Sequence, residues 1–399
     1  MKFRLIPAPQ SYVILFITIA LFLAATNVQG GWLYIIDSLL LSLLIFAIIS
    51  PINQTRRVNI YREFNNTLQE GEKNTIEIVI DNTKGKIASF IEIKDSELLR
   101  LNDNKTIIKA LKKGHFFIEI ESGEKSTFKY ELNIDLRGIY KFKGFDITSY
   151  GPFGLFKFSR TIKNENELIV QPVLPIINKI FFDGLKGAGF RYSSKTTHNT
   201  NASLPVSVRD YRRGDSRKLI HWKSTARNNR LMVKELENEQ SLSIQILLDT
   251  ENGNSIGLGK ENNLEYLIKF AGAILRLCIE KNYKVDLIYH SNNSLIRLTE
   301  DTTIRQIMDS LAYIKTDSKI KLRDLLNEKE IDSNSIIIPL FLKVNEKDIE
   351  KINKMYQDRY SVFPVFTDTN SFDKNYFPIE DIINKSLFKY MIIKKGESF

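Results

Sequence analysis

The sequence predicts an α+β multidomain chain with three parts: an N-terminal transmembrane helical hairpin, a β-sandwich-like domain and an α/β doubly wound domain. Three observations carry this. Two long uncharged or nearly uncharged runs stand at the start. Short alternating segments punctuated by Gly, Asn and Asp follow them. After a basic connecting stretch, apolar strands and amphipathic helices take turns to the end. At 399 residues the chain exceeds what one hydrophobic core serves. The expected divisions are 1–56 for the hairpin, 57–172 for the β-rich domain, 173–240 for the basic segment and 241–399 for the α/β domain.

The hairpin is read from composition. Residues 12–28 contain no charge, and ten of them are Val, Ile, Leu or Phe. Turn residues 27–31 separate this run from a second, 32–50, whose one charge is Asp37 and which is expected to stop at Pro51. The two helices are thus expected at about 10–28 and 32–50, near the ~20 residues a spanning helix needs. Asp37 falls in the first turns, where the helix dipole offsets part of its cost. Lys2 and Arg4 precede the first run, Arg56, Arg57 and Arg62 follow the second, and the short loop between holds no Lys or Arg. Basic flanks stay inside, so both ends are expected in the cytoplasm, making this a multi-pass cell-membrane protein with a cytoplasmic body. A competing reading is a cleaved signal peptide, since Lys2, Arg4, an apolar run and Ala24 with Ala25 imitate one. The second run and its arginines would still leave the body inside.

From Val58 to about Gln171 the period falls to two, as in Thr75-Ile76-Glu77-Ile78-Val79-Ile80, Phe90-Ile91-Glu92-Ile93 and Phe116-Phe117-Ile118-Glu119-Ile120. Arg137-Gly138-Ile139-Tyr140 fits a strand edge, and Gly151-Pro152-Phe153-Gly154-Leu155-Phe156 a tight turn flanked by aromatics. In the last part, strands are expected at 243–249, 285–289, 294–299, 336–342 and 362–367, with helices at 264–281, 303–314, 322–329 and 346–360. Such alternation means a mostly parallel sheet covered by helices. The hairpin 285–299 adds one antiparallel edge strand, the arrangement of von Willebrand factor A-type domains.

Charge concentrates in one place. The chain carries 57 Lys plus Arg against 47 Asp plus Glu, a net +10, and residues 209–234 hold nine basic and two acidic residues, or +7 of it. An anionic lipid surface, nucleic acid or an acidic partner would meet the protein there. Gly214 permits a turn, Asp215 or Ser216 caps a following helix, and Leu219, Trp222 and Ala226 share one face of it, with Trp222 expected in the core. Asp215 pairs with Arg209 or Arg217, and His221 makes a structural hydrogen bond or carries a proton. An extended stretch, 231–236, follows. The single cysteine, Cys278, lies in an apolar run, which excludes internal disulfides and cysteine-based metal sites and reads as a buried thiol.

The string Arg209, Tyr211, Gly214, Asp215, Ile220, His221, Trp222, Lys223 and Arg227 resembles the signature of the bacterial and archaeal "domain of unknown function 58" family. Two membrane helices, the Arg-Gly-x-Tyr element, the Pro-Phe-Gly-Leu-Phe element and a von Willebrand factor A-like domain occur in the family's order. Two departures leave the centre of the signature intact: Arg213 stands where proline is frequent before Gly-Asp, and Tyr150-Gly151 stands where Asp is frequent before Pro-Phe. The resemblance implies a partner of MoxR-type AAA+ ATPases and association with membrane transglutaminase-like proteins, and it implies no enzymatic activity. Metal-binding relatives of the last domain need Asp-x-Ser-x-Ser, where this chain has Asp249-Thr250-Glu251-Asn252-Gly253. Only Asp249 remains as a weak metal candidate, and no metal or cofactor is expected.

The expected function is therefore a membrane-anchored, non-enzymatic adaptor or scaffold. No phosphate-cradling Gly-x-x-x-x-Gly-Lys loop, Gly-x-Ser-x-Gly elbow or paired histidines stand in the sequence. The leading alternative is a phosphodiester- or nucleotide-acting hydrolase built on Asp210, Asp215 and His221, with Lys234, Glu235 and Glu237 nearby. A second is an anion or nucleic-acid binding module. Tyr211 and Trp222 alone make a poor stacking platform for single strands, so nucleic acid is the less expected partner.

Overall fold

The computed structural model of the chain describes residues 3–85, 87–95, 97–102, 107–109, 114–177, 204–212, 215–237, 243–299, 302–327, 331–333, 335–376, 378–384 and 386–397. Lys2 and Gly214 of the expected flank and signature lie outside these residues. The chain divides into two compact units, one of residues 1–173 with 308–315, the other of 174–307 with 316–399.

The first unit opens on a strand that the sequence reading did not anticipate, β1 (Phe3–Pro7). Helix α1 (Pro9–Val28) starts on a proline that needs no intrahelical donor, and α2 (Gly31–Thr55) returns antiparallel to it. Twenty residues of α1 span about 30 Å, and both helices are long and apolar enough to cross a membrane. Their packing seam is built of small residues at sevenfold spacing, Ser11, Thr18 and Ala25, against Leu33, Asp37, Leu44 and Ala47. Many large apolar side chains point outward, and Phe16, Leu23, Ile35 and Leu39 are all exposed. The expected stop at Pro51 is corrected, because α2 continues through it to Thr55. Proline lacks the N–H that would pair with the Ala47 carbonyl four residues back. That carbonyl instead faces Gly151, where a Cβ would stand 2.6 Å from it. Beyond the proline, Thr55 bonds back to the Pro51 carbonyl at 3.1 Å, and Gln54 accepts from Ser149 Oγ at 2.9 Å.

Strands β2 (Asn59–Glu63), β3 (Thr67–Gln69), β4 (Lys73–Asp81), β5 (Ala88–Asp95), β6 (Glu97–Arg100), β7 (Ile107–Lys109), β8 (His115–Ile120), β9 (Lys125–Asn133), β10 (Gly138–Tyr150) and β11 (Phe156–Gln171) follow. One sheet runs β1-β11-β10-β5-β8, with β3 on β11, β6 on β10 and β7 on β6; a second runs β2-β4-β9. Both contribute to one core, in which Ile76, Ile78 and Ile80 of β4 meet Ile91 and Ile93 of β5 and Phe142, Phe145 and Ile147 of β10. The period-two pattern thus marks the residues turned inward.

Buried arginines stitch this unit. Arg62 makes an ion pair with Asp95, fully buried on both sides, and also donates to the Gly144 carbonyl at 2.9 Å and the Asn164 carbonyl at 2.8 Å. Its guanidinium lies 4.3 Å and 4.0 Å from the ring centroids of Phe142 and Phe145. Tyr130 donates to the same Asp95 at 2.6 Å, and burial first, then the carboxylate, pushes its phenol up. In the Arg-Gly-x-Tyr element, Arg137 is fully buried and donates to the carbonyls of Leu311 at 2.8 Å and Ile314 at 3.0 Å, both in the 308–315 segment of this unit. Gly138 is required beside it: its φ is +144°, and a Cβ would meet Asn102 Oδ1 at 2.7 Å.

In the second unit, β12 (Leu204–Asp210) pairs antiparallel with β13 (Met232–Glu237). After them come β14 (Ser243–Leu248), a small hairpin of β15 (Gly257–Leu258) and β16 (Glu261–Asn262), β17 (Lys284–Ser291), β18 (Ser294–Leu298), β19 (Ile336–Phe341), β20 (Ser361–Val362), β21 (Val365–Thr367) and β22 (Met391–Ile393). The main sheet is ordered β18-β17-β14-β19-β21-β22, parallel throughout except for the β17–β18 hairpin, with β20 also on β19. Its central strands are apolar on both faces, as Ile336–Phe341 is buried at every position. The strand expected at 362–367 is interrupted: Pro364 has no N–H to give a neighbour, and pairing resumes at Val365.

Helix Asn263–Glu280 is capped by Asn262, which accepts from the Leu264 amide at 2.8 Å, and helix Glu346–Gln357 by an Asn345–Asp348 capping box. Arg323 lies 3.4 Å from Asp348, whose carboxyl is pushed up by burial. Of the helix expected over 322–329, Leu322–Leu325 forms a single turn, and residues 328 and 329 lie outside the described residues. Cys278 is buried in helix Asn263–Glu280, and desolvation pushes its thiol up to about 12.

Candidate functional site

The basic segment folds as an excursion between β12 and β13. Tyr211 and His221 each donate a backbone N–H to β13's approach, to Leu231 O and Met232 O, both at 2.8 Å. Ile220 bridges to Val233. A 3-10 turn, Arg217–Leu219, precedes a helix of seven residues, Trp222–Asn228. Asn229 ends that helix in the left-handed conformation, φ 49°, a role asparagine tolerates.

Within this excursion Asp215 takes Arg209, one of its two expected partners, and the pair is bidentate. Arg209 Nη1 donates to Asp215 Oδ2 at 2.7 Å and Nη2 to Oδ1 at 2.9 Å. Asp215 Oδ2 also accepts the Arg212 amide at 2.8 Å, which closes the turn. Asp215 is buried, so its charge is neutralised in place by the guanidinium. Arg217, the other expected partner, is exposed instead.

Two expectations are corrected here. Asp215 and Ser216 do not cap the helix; it begins later, with His221 as N-cap, whose Nδ1 accepts the Ser224 amide at 3.1 Å and lies 2.8 Å from Ser224 Oγ. Trp222 is not a core residue, because it is 68% exposed. The cause is length: a helix of two turns held to β13 through His221 and Thr225 only half-buries those residues and Ser224, and leaves Trp222 in solvent. Thr225, which the sequence reading passed over, accepts the Met232 amide at 3.0 Å. Lys218, Lys223 and Arg227 are exposed with Trp222. Among the described residues, none of Arg217, Lys218, Lys223 and Arg227 joins an ion pair, whereas Arg230 lies 3.5 Å from Asp210.

An indole and two cations, Trp222, Lys223 and Arg227, exposed on one short helix can meet an acidic, partly apolar surface. A hydrolytic cluster would need a carboxylate and an imidazole free to act together. Asp215 is spent on Arg209, His221 holds the helix start, and Asp210 bonds toward Arg230. Lys234 lies on β13, with Glu235 and Glu237 farther along the strand.

The candidate metal position lies after β14. Asp249 Oδ1 accepts the Glu251 amide at 2.9 Å, and Oδ2 accepts Asn254 Nδ2 at 3.1 Å and the Leu342 amide at 3.2 Å. The carboxylate thus ties its own loop to the end of β19. Burial pushes it up to about 6 against the pull of those three donors. Thr250 donates to the His290 carbonyl at 2.6 Å. Among the described residues no group of three or more His, Cys, Asp or Glu side chains converges as a metal would require.

Of the membrane-flanking residues, Arg4 lies on β1 opposite Ser159, and Arg56 and Arg57 follow α2 with exposed side chains. Asp37 is buried on the face of α2 that packs against α1, and its Oδ1 has no hydrogen-bond partner among the described residues.

The model of the family "Protein of unknown function DUF58" matches residues 207–365, from β12 through the start of β21. A curated relative, the uncharacterized protein YeaD of Bacillus subtilis, is 28% identical over 128 residues, which is 31% of this chain and 31% of that protein. The match therefore spans about a third of the relative's length. Among solved structures, the CARDB domain of PF1109 from Pyrococcus furiosus aligns with a TM-score of 0.19 at 11% identity, covering 29% of this chain and 87% of that one. The superoxide reductase (neelaredoxin) of Ignicoccus hospitalis gives 0.18 at 9% identity, covering 28% and 80%. Superpositions at that level carry no argument about fold or function.

Proposed function

We propose that this chain is a membrane-anchored, non-enzymatic adaptor whose cytoplasmic body docks a MoxR-type AAA+ ATPase alongside a membrane transglutaminase-like protein. In this reading the hairpin is a two-pass anchor with both ends inside, in keeping with Arg4, Arg56 and Arg57 on one side of the helices. The paired sheets of the first unit act as a β-sandwich. The parallel sheet of the second acts as a von Willebrand factor A-like domain whose loop after β14 has given up metal ligation. The observation that carries the reading is Trp222, 68% exposed at the start of a helix that also carries exposed Lys223 and Arg227. Interface energy concentrates in such tryptophans and arginines, and membrane attachment raises the local concentration of a weak partner.

The test is site-specific photo-crosslinking from position 222 in native membranes, followed by mass spectrometry of the adducts. An AAA+ ATPase adduct that disappears when Lys223 and Arg227 are both changed to Glu is the expected result. Adducts containing no such ATPase, in repeated preparations, would sink the adaptor reading. The hydrolase reading makes the opposite demand, turnover of phosphodiester or nucleotide substrates by the purified chain that is lost in Asp215→Asn.

A further inference from the structure

Two phenylalanines of the first unit combine features that proteins rarely combine. Phe153 and Phe90 are 82% and 50% exposed, and both hold a left-handed backbone, φ +58° and +54°. That conformation is strained for a bulky side chain and is normally repaid by packing. Here neither ring is buried in the protein.

Their position supplies the missing partner. Strand β10 runs toward the hairpin: Ser149 reaches Gln54 of α2, and Gly151, two residues on, lies against the Ala47 carbonyl. The turn that follows is docked to the helices, since Leu155 is buried with Leu44 and Ala47 and its carbonyl accepts the Ala8 amide at 2.9 Å, one residue before α1 begins. The turn that presents Phe153 is therefore level with the first residue of α1. Strand β5 pairs with β10 so that Ile91 opposes Ser149, which brings Phe90 and then Ile87, 53% exposed, down to the same rim. On the neighbouring strand, Ile118 is 71% exposed. Phe116 lies 6.4 Å from Phe90 and 5.9 Å from Tyr150, ring to ring.

We propose that this rim, Phe153 with Ile87, Phe90 and Ile118, is a bilayer-contact surface seated at the boundary of headgroups and acyl chains. The inference rests on the reading of α1 and α2 as membrane-spanning. If α1 fills the hydrocarbon thickness from Pro9 to Val28, the rim has no place to be but at the membrane surface. Aromatic rings favour that depth, and cations favour the headgroup layer above it. Lys157, whose ammonium lies 4.8 Å from the Tyr150 ring, and the exposed Arg56 and Arg57 occupy that layer. The first unit is then held by three structures at once, two helices and a rim, and does not swing on a tether.

The test uses the full chain in vesicles of phosphatidylcholine and phosphatidylglycerol, with a fluorescent probe on single introduced cysteines. Cys278 does not compete for the label, being buried with its thiol pushed up to about 12. Probes go on Phe153→Cys, Phe90→Cys, Leu41→Cys within α2, and Glu131→Cys at the far end of β9. Quenching is compared between a shallow spin-labelled lipid and aqueous iodide. Expected is several-fold stronger lipid quenching at 153 and 90 than at 131, with 41 shielded from iodide. If 41 is shielded while 153 and 90 behave like 131, the rim proposal is overturned and the spanning hairpin stands. If 41 is open to iodide, the hairpin reading fails and the rim proposal with it.

Discussion

Arg62 and the cations of residues 217–227 are the same chemistry put to opposite uses. Arg62 is enclosed by Asp95, two backbone carbonyls, Asn166 Oδ1 and two phenylalanine rings, so all five guanidinium N–H groups are answered inside the protein. Arg217, Lys218, Lys223 and Arg227 are exposed, as is the Trp222 indole. Charge that is answered internally specifies a fold, whereas charge left unanswered is available to something else.

Removing the buried cation has the largest expected effect. Arg62→Ala strands Asp95 in the core, and loss of one partner from a buried pair costs ~3–5 kcal/mol. The expected outcome is a large drop in the thermal midpoint of the first unit, with the second unit's transition unmoved in calorimetry. A smaller effect tests a buried charge answered only by dipoles. Asp249 sits at about 6 against an ordinary 3.8, so the neutral acid is the form the fold prefers. Its contribution to stability is complete below pH 3.8 and is lost as pH rises through 6, roughly 3 kcal/mol at about 1.4 per unit. Melting temperatures measured from pH 4 to 7 should fall less in Asp249→Asn than in the parent. Equal slopes would show that this carboxylate is not the titrating group.

Next comes the signature turn. Arg209→Ala removes two charge-assisted bonds to buried Asp215, at ~1–3 kcal/mol, and Arg209→Lys should recover little because an ammonium cannot reproduce the bidentate geometry. Hydrogen exchange across residues 211–231 is the readout, and full protection in the lysine variant would contradict the bidentate account. The smallest expected effect on stability is also the most informative. Trp222→Ala should leave stability within ~0.5 kcal/mol, as for other surface changes. A loss of crosslinked or co-purified partner in that variant, with folding intact, separates a docking residue from a packing one.

Much of the architecture is legible from patterning. The apolar runs, the period-two segments and the strand–helix alternation each reappear as elements, because a face that must be buried repeats at the period of its backbone. What escaped the reading depends on partners distant in sequence. Helix α2 passes through Pro51 because Gly151 comes up against the carbonyl the proline leaves unpaired, a contact a hundred residues away in the chain. β1 is a strand only because β11 is there to pair with it. Trp222 looked like core because its neighbours at helical spacing are apolar, yet the helix begins at Trp222 itself, without Leu219, and is too short to bury it. That Asp215 pairs with a nearby arginine is readable, being local and opposite in charge, but the choice of Arg209 over Arg217 is not. Nor is the burial of Arg137, since it donates to the carbonyls of Leu311, Ala312 and Ile314, far along the chain.

That last feature bears on the order in which the protein can be made. The first unit is not finished when its own strands have left the ribosome; Arg137 waits for a carbonyl 174 residues downstream. Until then Arg137 lacks the Leu311, Ala312 and Ile314 carbonyls, so a nascent or truncated chain ending at residue 173 should be soft around Gly138 and prone to capture by chaperones. Fragments meant to isolate this unit should therefore carry residues 308–315 back in, grafted or added in trans.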